Sequence, residues 1–188
     1  MRRYEFPSRI WLPALMLPPV PSDECARLLD CCTKFVEPHL ARTALERGYR
    51  LTVCDIEPET PAVERVDITN PLPWPEHYFR GVISADTLEH VVPKREILAE
   101  FFRITEPKGF LMLHLPVGKY GDSWQRHTTP DVPDNQHNHV WVPGTDYADI
   151  AQSVGYSLVA EVSGWDQEAI CLSKLWVFRK DPNLPWDK

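Results

Sequence analysis

Apolar and polar positions change period several times along the chain, and the changes divide it into alternating strands and helices. The run ARLLDCC at 26–32 is short and almost wholly apolar, which predicts a strand. EPHLARTALERG at 37–48 then sets Leu40, Ala44 and Leu45 at helical spacing, with Gly48 placed to end the helix. YRLTVCDI at 49–56 is rich in β-formers and closes on an acid, while ERVDIT at 64–69 and RGVISADTLEH at 80–90 read as two further short strands. KREILAEFFRITEP at 94–107 puts Ile97, Leu98, Phe101 and Ile104 on one helical face, with Pro107 and Gly109 as stop signals. GFLMLHLPV at 109–117 is apolar on both faces, as a strand inside a parallel sheet must be. A helix at 144–154 and strands at 157–163 and 169–180 complete the pattern, and the last two lie close enough to pair antiparallel at one end of the sheet.

Strands that alternate with helices predict an α/β fold: a mostly parallel sheet, helices on both faces, and an antiparallel C-terminal strand. The 188 residues are expected to form one domain, with a Pro-rich extension at 1–25, a core at 26–180 and a tail at 181–188. Nineteen prolines concentrate at 7–21, 71–75, 130–143 and 182–185, which marks those stretches as loops and tails. Residues 118–143 carry His, Asp, Pro and Trp without periodicity and predict a long loop, a kind often functional in a compact domain. Prolines at 7, 13, 18, 19 and 21 break up the apolar start before it can act as a signal peptide, and no later run suggests a membrane span.

Charge and cysteine usage narrow the function further. Twenty Lys and Arg against twenty-seven Asp and Glu leave a net charge of −7 with no long run of either sign, so nucleic acid is not an expected partner. Five cysteines, an odd number without C-x-x-C spacing, read as thiols in a reducing compartment, and a cytoplasmic location is expected.

Parallel sheets bind ligands beyond the carboxyl ends of their strands, which directs attention to the residues that end each strand. These are Asp30 after the first, Asp55 after the second, Asp67 on or near the third, and Asp86 with Glu89 and His90 after the fourth. A carboxylate accepts hydrogen bonds from paired hydroxyls or an amino group, and an acid about 25 residues past the first strand end suits a ribose diol. Asp also ends strands and opens turns for purely local reasons. The functional reading therefore rests on four acids delivered to one rim.

Three blocks, LLDCCTKFVEPHLARTALERGYRLTVCDIEPE, VDITNPLPWPEHYFRGVISADTLEHV and ILAEFFRITEPKGFLMLHLP, resemble successive segments of the small class I, Rossmann-like methyltransferases that use S-adenosylmethionine. The resemblance spans roughly residues 26–165 and is most specific where an acid, an L-P-W turn, an aromatic and a strand lead into L-E-H-V. It implies the family's three-layer fold and S-adenosylmethionine as cofactor. It further implies that Asp30 lies near the methionine amino group, Asp55 near the ribose hydroxyls, Asp67 with Ile68 at the adenine, and Ala85 with Asp86 along the methionine end.

The chain departs from the family in the loop after the first strand. Where the family carries D-x-G-x-G-x-G, this sequence reads Asp30, Cys31, Cys32, Thr33, Lys34, Phe35, Val36, without a glycine. A Cβ at those positions crowds the methionine moiety, and a left-handed turn there costs about 1 kcal/mol or more per residue. Either the loop takes another shape and the cofactor still binds, with Lys34 reaching its carboxylate, or Cys32, Lys34 and Phe35 fill the pocket and the chain serves as a scaffold or partner subunit. The segment from Asp55 to Asp67 is also too short for the helix that usually follows the second strand, which removes a wall of the adenine pocket.

Methyl transfer needs alignment and sometimes a base. The candidate bases are His90, in L-E-H-V, His127 in the long loop, and His137 with His139. His137 and His139, with His114, His127, Asp131 and Asp134, are residue types that ligate transition metals, but no dense ligand signature appears and no metal site is assigned. G-x-S-x-G and Walker motifs are absent. The expected partner is a small-molecule acceptor, with a homodimer or a protein partner as the alternative should the cofactor not bind.

Overall fold

The computed structural model describes residues 13–117, 129–130, 141–142, 144–166 and 171–183. A seven-stranded sheet runs through it, built from β1 (Ala26–Cys31), β2 (Tyr49–Asp55), β3 (Glu64–Arg65), β4 (Phe79–Ala85), β5 (Thr105–Pro116), β8 (Ser157–Asp166) and β9 (Cys171–Arg179). Two short strands, β6 (Thr129–Pro130) and β7 (Trp141–Val142), pair separately. Across the large sheet the order is β3, β2, β1, β4, β5, β9, β8. The first five are parallel and β9 runs antiparallel to both its neighbours, as the alternation of elements predicts.

Side chains of successive strand residues point to opposite faces, so the apolar runs feed two cores at once. Leu29, Val82, Leu111, Leu113, Trp176 and Phe178 meet α2 (Lys94–Ile104) and α3 (Tyr147–Ser153) on one face through Ile97, Leu98, Phe101, Ile104, Tyr147 and Ala151. On the other face Leu28, Ile83, Phe110, Met112, Leu175 and Val177 meet α1 (Pro38–Glu46) and the helical turn at 13–16 through Leu40, Ala44, Ala14 and Leu17. The sheet is thus covered on both sides. Leu45, expected on the inner stripe of α1, faces solvent instead.

Local rules place the boundaries. Glu37 caps α1 by accepting the Leu40 N–H at 2.7 Å, and Pro38 sits at the first helical position, where its missing N–H costs nothing. Gly48 ends the helix with φ +87°, a conformation that glycine adopts without strain. Helix α2 stops at Ile104 and β5 begins at once, so Pro107 and Gly109 lie inside the strand rather than ending the helix. Tertiary contact overrides the stop signals here: Thr105 pairs with Phe79, and a Cβ on Gly109 would stand 2.7 Å from the Arg80 carbonyl oxygen.

The Pro-rich turn at 71–75 is tied to α2. Glu100 Oε2 accepts the Leu72 N–H at 2.9 Å, while the Arg103 guanidinium donates to the carbonyls of Leu72 and Trp74. That clamp seats Trp74 edge-on against Phe79 and fixes the approach to β4.

Candidate functional site

Strands β1 and β4 are neighbours, yet the chain continues from them in opposite directions across the sheet. At such a switch point the loops diverge and leave a crevice beyond the carboxyl ends. A cavity of about 570 Å³ lies there, inside the range of about 300–1,000 Å³ usual for small-molecule sites. Asp30, Asp55, Asp67, Ile68, Ala85 and Asp86 all line it, and so does His90.

Each acid arrives by a different local route. Asp30 sits in β1 one residue before the strand ends and is 4% exposed. Burial pushes its carboxyl up to about 7, a hydrogen bond from Thr33 opposes this, and nearby Glu37 adds to it. Asp55 closes β2 and accepts the Glu57 N–H at 2.8 Å, which turns the chain away from the sheet. Asp67 lies beyond β3, since that strand has only two residues, and its carboxylate accepts from the Thr69 N–H, the Thr69 hydroxyl and the Asn70 amide at 2.7–2.9 Å. The Thr69 hydrogen bonds hold it below the usual carboxylate range.

The glycine-free loop keeps a glycine's backbone. Cys32 stands two residues after Asp30, where the family has its first glycine, and takes φ +64°. Its N–H donates to the Cys54 carbonyl at 2.6 Å and the Thr33 N–H donates to the same oxygen at 3.2 Å, so β2 pins the left-handed turn in place. Lys34 and Phe35 do not plug the cavity. Lys34 lies 3.9 Å from Glu57 with both side chains more than half exposed, and Phe35 is 46% exposed at the border.

No helix forms between Asp55 and Asp67, in line with the shortness of that segment. The segment itself supplies a wall, because Ile56 and Glu59 line the cavity and the Glu59 N–H donates to the Lys34 carbonyl at 2.9 Å. Sequence reasoning missed Ile56, Thr33 and Glu59 as lining residues. Their signal was adjacency to the two strand ends, which says nothing of how the loops fold back.

The β4–β5 side of the rim holds a pair that sequence reasoning did not join. Asp86, with φ +47°, donates its backbone N–H to the His114 carbonyl at 3.0 Å, and its Oδ1 lies 2.8 Å from His114 Nδ1. His114, considered as a metal ligand from its type, is fully buried at the end of β5. Among the described residues no cluster of His, Cys, Asp or Glu has the geometry to hold a metal ion. His90 ends a short 3₁₀ turn (Leu88–His90) and is exposed at the cavity border. His139, His137, His127, Asp131 and Asp134 lie outside the described residues.

The neighbouring thiols are poor nucleophiles. Burial raises Cys32 and Cys31 above the ordinary thiol range, and Cys54 lies 3.9 Å from Cys31 sulfur to sulfur in the layer beneath the loop.

Strand order and the crevice at the strand ends define a three-layer, Rossmann-like α/β fold. Residues 29–113 match the family model described as a methyltransferase domain. The chain is similar to the 1,6-didemethyltoxoflavin-N1-methyltransferase of Burkholderia thailandensis, solved with 1,6-didemethyltoxoflavin and S-adenosylhomocysteine, at 16% identity and TM-score 0.68, covering 93% of this chain and 79% of that one. An S-adenosylmethionine-dependent methyltransferase from Mesorhizobium loti is similar at 14% identity and TM-score 0.65, covering 91% and 97%. The [4+2]-cyclase SpnF is similar at 12% identity and TM-score 0.67, covering 85% and 77%. At these identities the likeness is one of fold. No curated protein sequence matches the chain. No helix among the described residues is long and apolar enough to cross a membrane.

Proposed function

We propose that this protein transfers a methyl group from S-adenosylmethionine to a small-molecule acceptor. The observation that carries the reading is the open crevice at the β1/β4 switch point, bordered by all six residues that the family resemblance assigns to the cofactor. The residues fit the group. Asp55 offers a carboxylate to a ribose diol, Ile56 and Ile68 offer apolar surface to an adenine, and Asp67 offers an acceptor to its amino group. Asp30, beside the Ala85 end of β4, offers a carboxyl oxygen to a methionine ammonium. S-adenosylmethionine supplies an electrophilic methyl on a sulfonium, and the protein's own task is alignment and charge.

His90 at the border and His139 in the long loop remain the acceptor-side candidates. The buried, free Cys31 and Cys54 support a reducing, cytoplasmic setting. Small-molecule acceptors are favoured by the size of the crevice, about 570 Å³, and by the net charge of −7, which disfavours a polyanionic substrate.

A second reading, a scaffold or partner subunit that binds no cofactor, draws on one observation. Cys32 sets a side chain where the family's loop has none. Calorimetric titration with S-adenosylmethionine and S-adenosylhomocysteine separates the two. Heat with saturation is expected for both ligands, and no heat at millimolar concentration refutes the enzyme reading.

A further inference from the structure

The register of the sheet sets two thiols side by side at the ends of β1 and β2. Cys31 and Cys54 are Cα partners on neighbouring parallel strands, so both point to the same face. Both are fully buried, and their sulfurs lie 3.9 Å apart. Neighbouring strands stand about 4.8 Å apart, inside the span of about 4.4–6.8 Å that disulfide-linked Cα atoms keep. Only the sulfurs have to move, from 3.9 Å to about 2.0 Å.

The row continues on β4, where Ser84 is the Cα partner of Cys31 and carries a buried hydroxyl with no hydrogen-bond partner among the described residues. An orphaned buried hydroxyl is costly, and this one supplies a donor on the same face for a Cys31 sulfur that loses its proton. Each thiol also adjoins a crevice acid along the chain. Cys31 follows Asp30 and Cys54 precedes Asp55, with acids and thiols on opposite faces of the sheet. The Cys54 carbonyl further accepts the N–H groups of Cys32 and Thr33, both of which line the crevice. A bond between the two sulfurs therefore ties together two strand ends that border the crevice.

We infer that Cys31 and Cys54 form a modification site, a thiol pair that a hydroperoxide converts to a disulfide, and that this bond weakens ligand binding in the crevice. The second half rests on the cofactor reading above, and the first does not. The peroxide O–O bond breaks as one sulfur takes up an oxygen, which gives a sulfenic acid and a water molecule. The other sulfur then gives up its proton and displaces the hydroxyl, which leaves with that proton as a second water while the S–S bond forms. The two thiols lose two electrons in all, and the peroxide gains them. Burial holds the Cys31 thiol above its ordinary range and makes the step slow, so the pair answers to sustained oxidant and not to a brief pulse.

The test incubates the full chain with hydrogen peroxide, blocks the remaining thiols and digests with trypsin without reduction. A linked pair of peptides, Leu28–Lys34 with Leu51–Arg65, is expected from the wild type and is expected to separate on reduction. Because Leu28–Lys34 holds both Cys31 and Cys32, Cys32→Ser is expected to keep the link and Cys31→Ser to lose it. Cys25, exposed and just before β1, stands about 20 Å from Cys31 and reports surface oxidation in the same digest. Absence of the linked peptides from the wild type, at a peroxide dose that oxidises Cys25, overturns the pair whether or not any variant folds. A link that survives Cys31→Ser does the same. Titration of reduced and oxidised wild type with S-adenosylhomocysteine reads the second half: binding about tenfold weaker after oxidation, the loss of about one hydrogen bond, is expected, with recovery in dithiothreitol. Linked peptides with unchanged affinity overturn that half. If the reduced wild type does not bind S-adenosylhomocysteine, the cofactor reading itself has failed, and the digest still decides the thiol pair.

Discussion

Replacing Asp30 by asparagine is expected to remove a pH dependence that the fold imposes. The carboxyl is buried at the end of β1 and raised from 3.8 to about 7. Because the folded state holds the proton more tightly than the unfolded chain, the favourable contribution is complete below pH 3.8 and is lost as pH rises through 7. The rise from 3.8 to about 7 is worth on the order of 4 kcal/mol in full, of which about 2–3 kcal/mol falls between pH 5 and pH 8. An asparagine side chain has the same shape and no charge to desolvate. Urea unfolding of both proteins at pH 5 and pH 8 therefore should show the difference, Asp30→Asn variant minus wild type, rising by about 2–3 kcal/mol toward the higher pH. Other titrating groups cancel between the two proteins. A difference that stays flat, or falls with pH, refutes the claim that burial dominates at Asp30.

Two further substitutions probe the loop and the sheet. Cys32→Gly relieves about 1–2 kcal/mol of left-handed strain and gives up about as much in chain entropy and thiol burial, so stability should change by under about 1 kcal/mol while S-adenosylhomocysteine binds at least as tightly; a tenfold loss of affinity would show that the thiol serves the ligand. Gly81→Ala places a Cβ 2.2 Å from Phe110 Cζ and 2.8 Å from Leu28 Cδ1 at the centre of β4, and thermal or urea unfolding should record a loss of about 1–3 kcal/mol.

Much of the site was legible along the chain because its acids are tied to strand ends. A strand that ends on Asp30 or Asp55 must present that residue at the rim once the sheet is parallel, and no distant contact is needed to see it. Asp67 was legible as a residue and not as a position. With only Glu64–Arg65 pairing to β2, it reaches the cavity from a turn that it organises through its own hydrogen bonds with Thr69 and Asn70. The limit of α2 was misread for the opposite reason: Pro107 and Gly109 signal a break locally, yet the pairing of Thr105 with Phe79 draws them into β5.

Period and punctuation by themselves determined the α/β class, the antiparallel end of the sheet and the ring of acids, since each follows from contacts within a few residues or from an apolar run that has to be buried. Only the tertiary structure decided that Cys32 keeps a left-handed turn, that Lys34 and Phe35 leave the crevice open, and that His114 braces Asp86. These depend on partners distant in the sequence: Cys54 beneath the loop, Glu57 beside Lys34 and His114 behind Asp86. A backbone angle or a side-chain direction set by a neighbouring strand leaves no mark on the local pattern, because what selects it is the packing of the sheet and not the residue that adopts it.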